Sequence, residues 1–479
     1  MRHDTIDIHT HVFNLRYLPL EGIVRSRLPK WVIGRKAIAA GLARLLNALT
    51  HDGSDLGAPP PVARPESAER IASADAMLLE LAAETPRELR SHPDVAKGIA
   101  AAQVNEATAP TAPATATAGT NESVPIADGI VTLLSKLKLV NVEGLFETVD
   151  DFINWITFLR KDELFIMKRL FDTYPVDLYV HHMMDMEPHY DPGTCYYEFN
   201  AEQIRRMRRL VELSGGKLMT FVAWSPDRDP QERLEIVKEM VLSGGAGGVK
   251  VYPPSGYAAN DARNEELWEF CVAEDVPVFT HCNASGFYAN KKFIEFNDPK
   301  YWAKVLDKHP QLRLCFGHAG GEAGWFDRYS KKKNAVEKSW ETSFAKQVFD
   351  LCTAYPNVYC ETGFLPEVLD NAKPFVDRLT ACVLAQPSFA HKIMYGTDWH
   401  MLERFEQHTR YFEACQGVFA QPVLSQYKDL FFYANAVDYL NLPAFEARQS
   451  TSESFDVGAV APHLRVVQEK AETMKSRLR

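Results

Sequence analysis

The sequence predicts an α/β fold, a (β/α)8 TIM barrel with a large helical insertion between its first and second strands. Three observations predict it. Eight short runs rich in Val, Ile, Phe and Tyr punctuate the chain, amphipathic stretches separate the later ones, and polar residues fall at the C-terminal ends of several runs.

The strand-like runs are 5–12, 176–184, 217–224, 247–253, 276–282, 312–318, 358–362 and 392–398. Between them lie stretches such as AEQIRRMRRLVELSG, PQERLEIVKEMVLSGG, NEELWEFCVAED and KSWETSFAKQVFDLC, whose apolar residues recur every three or four positions. Strand–helix alternation implies a parallel sheet. Eight such units imply closure into a barrel, with an open doubly wound sheet as the alternative.

One connection is abnormal. About 160 residues separate the first two runs, far more than a barrel connection needs. Residues 20–165 therefore read as a helical insertion over the barrel mouth, with helical patterns in ESAERIASADAMLLELAAE and EGLFETVDDFINWITFLRKDELFIMKRLFDTY. Within it, Glu106–Ser123 is rich in Ala, Thr and Pro, a composition that buries too little to fold and should be mobile. The barrel is assigned to 1–442, and 443–479 reads as a polar tail without a barrel role.

Composition narrows the function classes. The 479 residues carry a net charge of −10, which argues against nucleic acid as a partner. Arg205, Arg206, Arg208 and Arg209 cluster, but at helical spacing among apolar residues, as on a solvated helix face. The 8 cysteines are scattered without a CxxC pair, which suits a reducing compartment and offers no thiolate cage. The polar start MRHDTIDIHTHVF is no signal peptide, and no run of spanning length occurs; a cytoplasmic protein without a membrane partner is expected. The Gly-rich GGEAGW (Gly320–Trp325) and SGGAGG (Ser243–Gly248) match no phosphate loop or dinucleotide fingerprint. Nor is there a GxSxG elbow.

The chemistry gathers at the strand ends. His9 and His11 in DIHTH lie two apart and so share a strand face. His281 follows VPVFT, His318 follows LRLCFG and Asp398 follows KIMYGT. Each closes a different strand, and the C-terminal rim of a barrel is where functional groups converge. Imidazole with carboxylate suits Zn²⁺, with Mn²⁺ and related ions as alternatives, whereas Mg²⁺ and Ca²⁺ prefer oxygen shells. An ion so held lowers the pKa of bound water to near ~7, and Asp398 is placed to carry the proton.

DIHTH, VFTHCN, FGHAGG and YGTDW resemble the amidohydrolase superfamily, in the branch containing aminocarboxymuconate semialdehyde decarboxylase and related lactonases and resorcylate decarboxylases. The closing DLFFYANAVDYLNL (Asp429–Leu442) is similar to that family's final helix. The resemblance covers roughly 1–15 and 175–442 and leaves the insertion unexplained. It implies that His9, His11, His281 and Asp398 ligate one divalent metal, with His318 beside it as an acid/base or electrophilic group. Lys250, in GGVKVYPPSGY, adds an alternative. In two-metal relatives a lysine in a similar motif is carboxylated and bridges two ions, and His318 then joins the shell. In single-metal relatives it is free to hold a substrate carboxylate. The motif style favours one metal. An ordinary Lys paired with Glu361 or Asp398 is the plain structural reading.

Substrate contacts are expected from Lys250, Tyr252, Arg263, Asn283, Glu361, Trp399 and His181, with His182 and His400 near the mouth. Two reactions share this shell. One is hydrolysis of an amide, ester or lactone of a small molecule; the alternative is non-oxidative decarboxylation of a small carboxylic acid. A non-catalytic barrel using its insertion for docking is disfavoured by the intact ligand set. Barrels of this kind often dimerise, so a homodimer is compatible with the sequence.

Overall fold

The computed structural model describes residues 4–27, 35–50, 158–230, 232–284, 286, 288, 290–329 and 337–478. The helical patterns at 66–84 and 143–157, most of the 20–165 insertion and the 106–123 segment lie outside the described residues.

Each predicted strand is present. β1 is Ile6–Thr10, β2 Leu178–His182, β3 Leu218–Trp224, β4 Ala246–Val251, β5 Val278–Thr280, β6 Leu314–Phe316, β7 Val358–Glu361 and β8 Ile393–Met394. They form one sheet in chain order, and every neighbouring pair is parallel. Ile8 N–H donates to the Tyr395 carbonyl (3.2 Å) and Asp398 N–H to the His9 carbonyl (2.8 Å), joining the last strand back to the first. β1 carries a bulge: the pairing runs Asp7 to Tyr179, then Thr10 to His181, leaving one extra residue on β1. Such a bulge re-aims side chains at a barrel rim.

Among the described residues the α-helices of six or more residues are α1 (Leu20–Arg27), α2 (Arg35–Leu49), α3 (Glu163–Thr173), α4 (Ile204–Leu213), α5 (Arg233–Leu242), α6 (Glu265–Ala273), α7 (Lys300–Lys308), α8 (Phe344–Ala354), α9 (Lys373–Ala385), α10 (Tyr411–Val418), α11 (Asn435–Leu440), α12 (Leu442–Gln449) and α13 (Val457–Leu478). α4 shows why they form where they do. Ile204, Met207, Leu210 and Val211 are buried at helical spacing. The arginines between them pair with acids: Arg205 and Arg206 with Glu202, Arg208 with Glu239 and Arg209 with Glu212. The basic cluster is thus an ion-paired helix face.

The chain divides into two compact units: Met1–Val12, Met167–Pro188 and Asn200–Arg479 form the barrel unit, and Phe13–Ile166 with His189–Phe199 the other. In the second, buried Glu163 accepts from Asn14 Nδ2 and Tyr17 Oη (both 3.1 Å). Arg16 lies over the Tyr196 ring (4.4 Å) and bonds Tyr197 Oη (3.2 Å).

The C-terminal segment corrects the expectation of a tail without a barrel role. Val460, Leu464, Val467, Ala471 and Met474 on α13 join the core cluster that includes Ile6, Ile8, Leu178, Val180, Phe221, Phe279, Tyr359, Met394 and Tyr439. Their spacing of 4, 3, 4 and 3 is that of one helix face; an abundance of charged residues between them hid it. Lys470 fastens the helix to Asp4 (2.6 Å) and Asp177 (2.5 Å), beside the starts of β1 and β2.

Candidate metal centre

Every group of the centre belongs to the barrel unit, at or just beyond the C-terminal strand ends. His9 is 1% exposed, and its Nδ1 lies 2.9 Å from Glu361 Oε1. His11 places Nδ1 2.8 Å from the His182 carbonyl, and His318 places Nδ1 2.7 Å from the Gly363 carbonyl. The His182 and Gly363 carbonyls only accept, so His11 and His318 carry their protons on Nδ1 and present Nε2 as a base, as does His9 when Glu361 is ionised. The His9 and His11 Nε2 atoms lie 4.0 and 3.6 Å from Asp398 Oδ1. One donor atom each from His9, His318 and Asp398 falls within a mutual 4.8 Å. A divalent ion needs neutral imidazoles with free lone pairs and a nearby carboxylate, so these residues fit one.

Burial sets the charge states. It lowers His9 and His11 well below the usual histidine range, with the Lys250 charge adding to the effect. Burial also lowers His318 to about 4. It pushes Asp398 up to about 7, opposed by Lys250, and Glu361 to about 8, opposed by the His318 and Gly363 amides. Lys250 falls to about 7 through burial, opposed by Asp398 and Glu361.

Glu361 lies against His9 and two backbone amides. Its carboxylate accepts from His318 N–H (2.6 Å) and from Gly363 N–H besides holding His9. It fits only because its neighbours are glycines. A Cβ at Gly363 would sit 2.7 Å from Glu361 Oε2 and 2.9 Å from His9 Nδ1, and one at Gly396 would strike Glu361 as well. Two non-glycine residues here hold left-handed backbone, His318 (φ 59°) and Asp398 (φ 48°). Such strain persists where the surroundings over-determine it, characteristically at functional sites.

The remaining sequence candidates divide. His281 is joined to the cluster through His318, with Nδ1 3.0 Å from His318 Nε2, and its Nε2 lies 3.2 Å from Asn283 Oδ1. Tyr252 stands beside it, ring centroids 4.8 Å apart. Lys250 is 1% exposed and lies 4.2 Å over the Phe279 ring. Among the described residues no carboxylate oxygen lies within 4.0 Å of its amine, so it is not the paired core lysine of the plain reading. His181 receives the Val12 N–H on Nδ1 (2.9 Å), 6.3 Å from the His11 ring by centroid. Trp399 is fully buried, and its indole donates to the His11 carbonyl (2.7 Å), which fixes the end of β1. Arg263 does not join the site. Its guanidinium is held by Asp261 (2.7 Å) and Asp227, and its side chain is 41% exposed. A rim position alone could not reveal those two competing carboxylates.

Sequence reasoning passed over Asp7 and Thr397. Asp7 is fully buried and accepts from His9 N–H (3.1 Å), Thr397 N–H (3.0 Å) and Thr397 Oγ1 (2.6 Å). The available signal was period two: Asp7, His9 and His11 alternate along one run, and Thr397 immediately precedes Asp398.

Residues 155–442 match the family model described as amidohydrolase. No curated protein sequence matches the chain. Among solved structures, an uncharacterised TIM-barrel protein from Bordetella bronchiseptica is 16% identical, over 59% of this chain and 83% of that one, with a TM-score of 0.42. A manganese-bound 5-carboxyvanillate decarboxylase from Novosphingobium aromaticivorans is 13% identical over 64% and 88%, at 0.41. A 2,6-dihydroxybenzoate decarboxylase from Rhizobium is 14% identical over 58% and 88%, at 0.39.

Proposed function

The chain belongs to the amidohydrolase family, and on that premise we propose that it is a metal-dependent hydrolase acting on an amide, ester or lactone of a small molecule. The observation that carries this reading is the cluster of imidazoles whose Nδ1 atoms face oxygen partners, with Asp398 Oδ1 4.0 and 3.6 Å from the Nε2 atoms of His9 and His11. His9, His11 and Asp398, with His281 or His318, would hold the ion, Zn²⁺ by the chemistry of the donors. When bound, such an ion polarises a carbonyl and makes water acidic enough to react near neutral pH. Asp398 takes a proton from the attacking water as its oxygen bonds to the carbonyl carbon. The same carboxyl returns that proton to the departing nitrogen or oxygen as the C–N or C–O bond breaks. Glu361 keeps His9 in its donor tautomer throughout.

One observation favours a second reaction. Lys250 is a buried amine without a carboxylate partner among the described residues, and it suits an anionic group on the substrate. A carboxylate seated there would equally serve decarboxylation, in which the C–C bond breaks to release CO₂ and the vacated carbon takes a proton from the protonated carboxyl of Asp398.

Metal analysis of protein purified without added metal is the first test, with about one ion per chain expected in the wild type and its loss in Asp398→Asn. Lactones, amides and small aromatic carboxylic acids are then screened in ¹⁸O-water. Label in the product carboxyl supports hydrolysis, whereas CO₂ release without label supports the second reaction. A wild-type chain that neither holds nor takes up metal sinks both.

A further inference from the structure

We infer that Asp7 and Thr397 form a clamp across the β8–β1 seam that positions the metal donors of both strands, with Asp7 as its positioning residue. The inference rests on the metal reading above and adds residues that touch neither ion nor substrate.

Few ladder bonds hold this seam, since β8 is only two residues long, Ile393–Met394, and its ladder runs to β7. Yet the donors farthest apart in sequence, His9 and Asp398, must meet across this seam. Asp7 supplies what the short ladder lacks. One of its oxygens, Oδ1, accepts the amide protons of His9 and Thr397 together, and Oδ2 takes the Thr397 hydroxyl. The backbone returns the bond, with Asp398 N–H donating to the His9 carbonyl at 2.8 Å.

Both sides of the seam are thereby fixed at or next to the chemistry. On β1 the bonded amide is that of His9 itself, within the bulge. Beyond β8 the bonded residue is Thr397, directly before the left-handed Asp398. A strained conformation persists only if its neighbours are held; the clamp holds them. A carboxylate is the group that does this, because two N–H donors and one O–H donor converge and an acceptor-only side chain answers all three. Carboxyl groups this buried are costly, which speaks for a role beyond filling space.

The test is Zn²⁺ affinity, by competition with a chelator, alongside the visible spectrum of Co²⁺-loaded protein, whose band intensity reports coordination number. Circular dichroism and Tm control for folding. Thr397→Val removes one hydroxyl at nearly constant volume, and Asp7→Ala removes the whole clamp. Asp7→Asn keeps an acceptor for the two amides, and Thr397→Ser keeps the hydroxyl. Zn²⁺ binding is expected to weaken roughly 10- to 100-fold in Asp7→Ala and about tenfold in Thr397→Val, the range found when groups behind metal ligands are removed. Thr397→Ser should match the wild type, and Asp7→Asn should fall between, with altered Co²⁺ bands only in the impaired variants. If Asp7→Ala fails to fold, Thr397→Val decides. Folded Thr397→Val with wild-type affinity and spectrum overturns the clamp while leaving the metal centre intact. A wild-type chain that takes up no ion overturns the centre and the clamp with it.

Discussion

The two ends of the barrel interior are built to opposite rules. Toward the α11–α13 side the interior is apolar: Ile6, Leu178, Met219, Phe221, Tyr359 and Met394 pack with Tyr439, Leu440, Phe445 and the α13 face. At the strand C-termini it holds His9, His182, Lys250, His318, Glu361 and Asp398, all buried, on backbone strained at His318 and Asp398. Burial on one side releases apolar surface from water. On the other it costs free energy, through desolvated ionisable groups and left-handed backbone. The contrast teaches that stability is supplied from below and used above, where buried ionisable groups are held together at the strand ends.

The sharpest way to break the contrast is Asp398→Asn. If Asp398 is the ligand and proton carrier proposed above, its loss should lower turnover on the order of 10³-fold, while removing a buried carboxyl pushed to about 7 leaves the fold intact or firmer. Equal losses of Tm and turnover would mean that the rim supports the fold as much as the floor does.

Next in size is Leu464→Ala on α13. It should cost about 3 kcal/mol of stability and leave metal content and turnover per folded molecule unchanged, as read by denaturant titration and assay of the same sample. Metal loss at temperatures where the variant is folded would show that the floor reaches the centre.

These two experiments also mark what could be read from sequence. All eight strands were legible because β-branched runs ended in polar residues and alternated with helical periods; that His9, His318 and Asp398 would come together was legible because they lie at or near the ends of those runs. The α13 face was not. Its five apolar positions sit in VGAVAPHLRVVQEKAETMKSRL, where charged and polar residues are interspersed among them, and only the 4-3-4-3 spacing discloses the buried side. Asp7 was illegible for a different reason. Its partner Thr397 lies 390 residues away, and nothing local says that the two ends of the sheet meet. Glu361 was half legible: its strand-end position announced proximity to the centre, but its partners His9, His318 and Gly363 come from three separate strand ends.

Lys250→Met sharpens the comparison from within the upper end. Binding of a small carboxylate probe such as benzoate to the metal-loaded protein should weaken about tenfold, as expected for one charge-assisted contact. The metal-free variant should be more stable than wild type below pH 7, by on the order of 1 kcal/mol, because a buried charge is gone. The sign follows from the lysine held near 7 when folded, against an ordinary value of 10.5. Between those values the unfolded chain binds more protons than the folded one, so wild-type stability from this group rises with pH. The advantage of Lys250→Met should therefore shrink from pH 7 to 10.5. An advantage constant with pH would mean that Lys250 is not titrating in a desolvated place, and unchanged benzoate affinity would remove it from the substrate contacts.

The smallest effect is expected at Arg263, and it separates position from function. Arg263 lies in the loop after β4, the strand that carries Lys250, which made it a natural second cation for an anionic substrate. Its contacts, however, are with Asp261 and Asp227, and a guanidinium bracketed by two carboxylates has little charge left to offer. Its side chain is 41% exposed, and exposed ion pairs contribute only about 0.2–1 kcal/mol. Arg263→Ala should therefore lower stability by no more than about 0.5 kcal/mol and leave benzoate affinity within error of wild type. The informative comparison is the double variant with Lys250→Met. If Arg263 is bound into its own surface network, the double variant binds benzoate as weakly as Lys250→Met alone. A further tenfold loss would require the Arg263 guanidinium to leave Asp227 and Asp261 for the ligand, and would restore it to the binding site from which its two ion pairs exclude it.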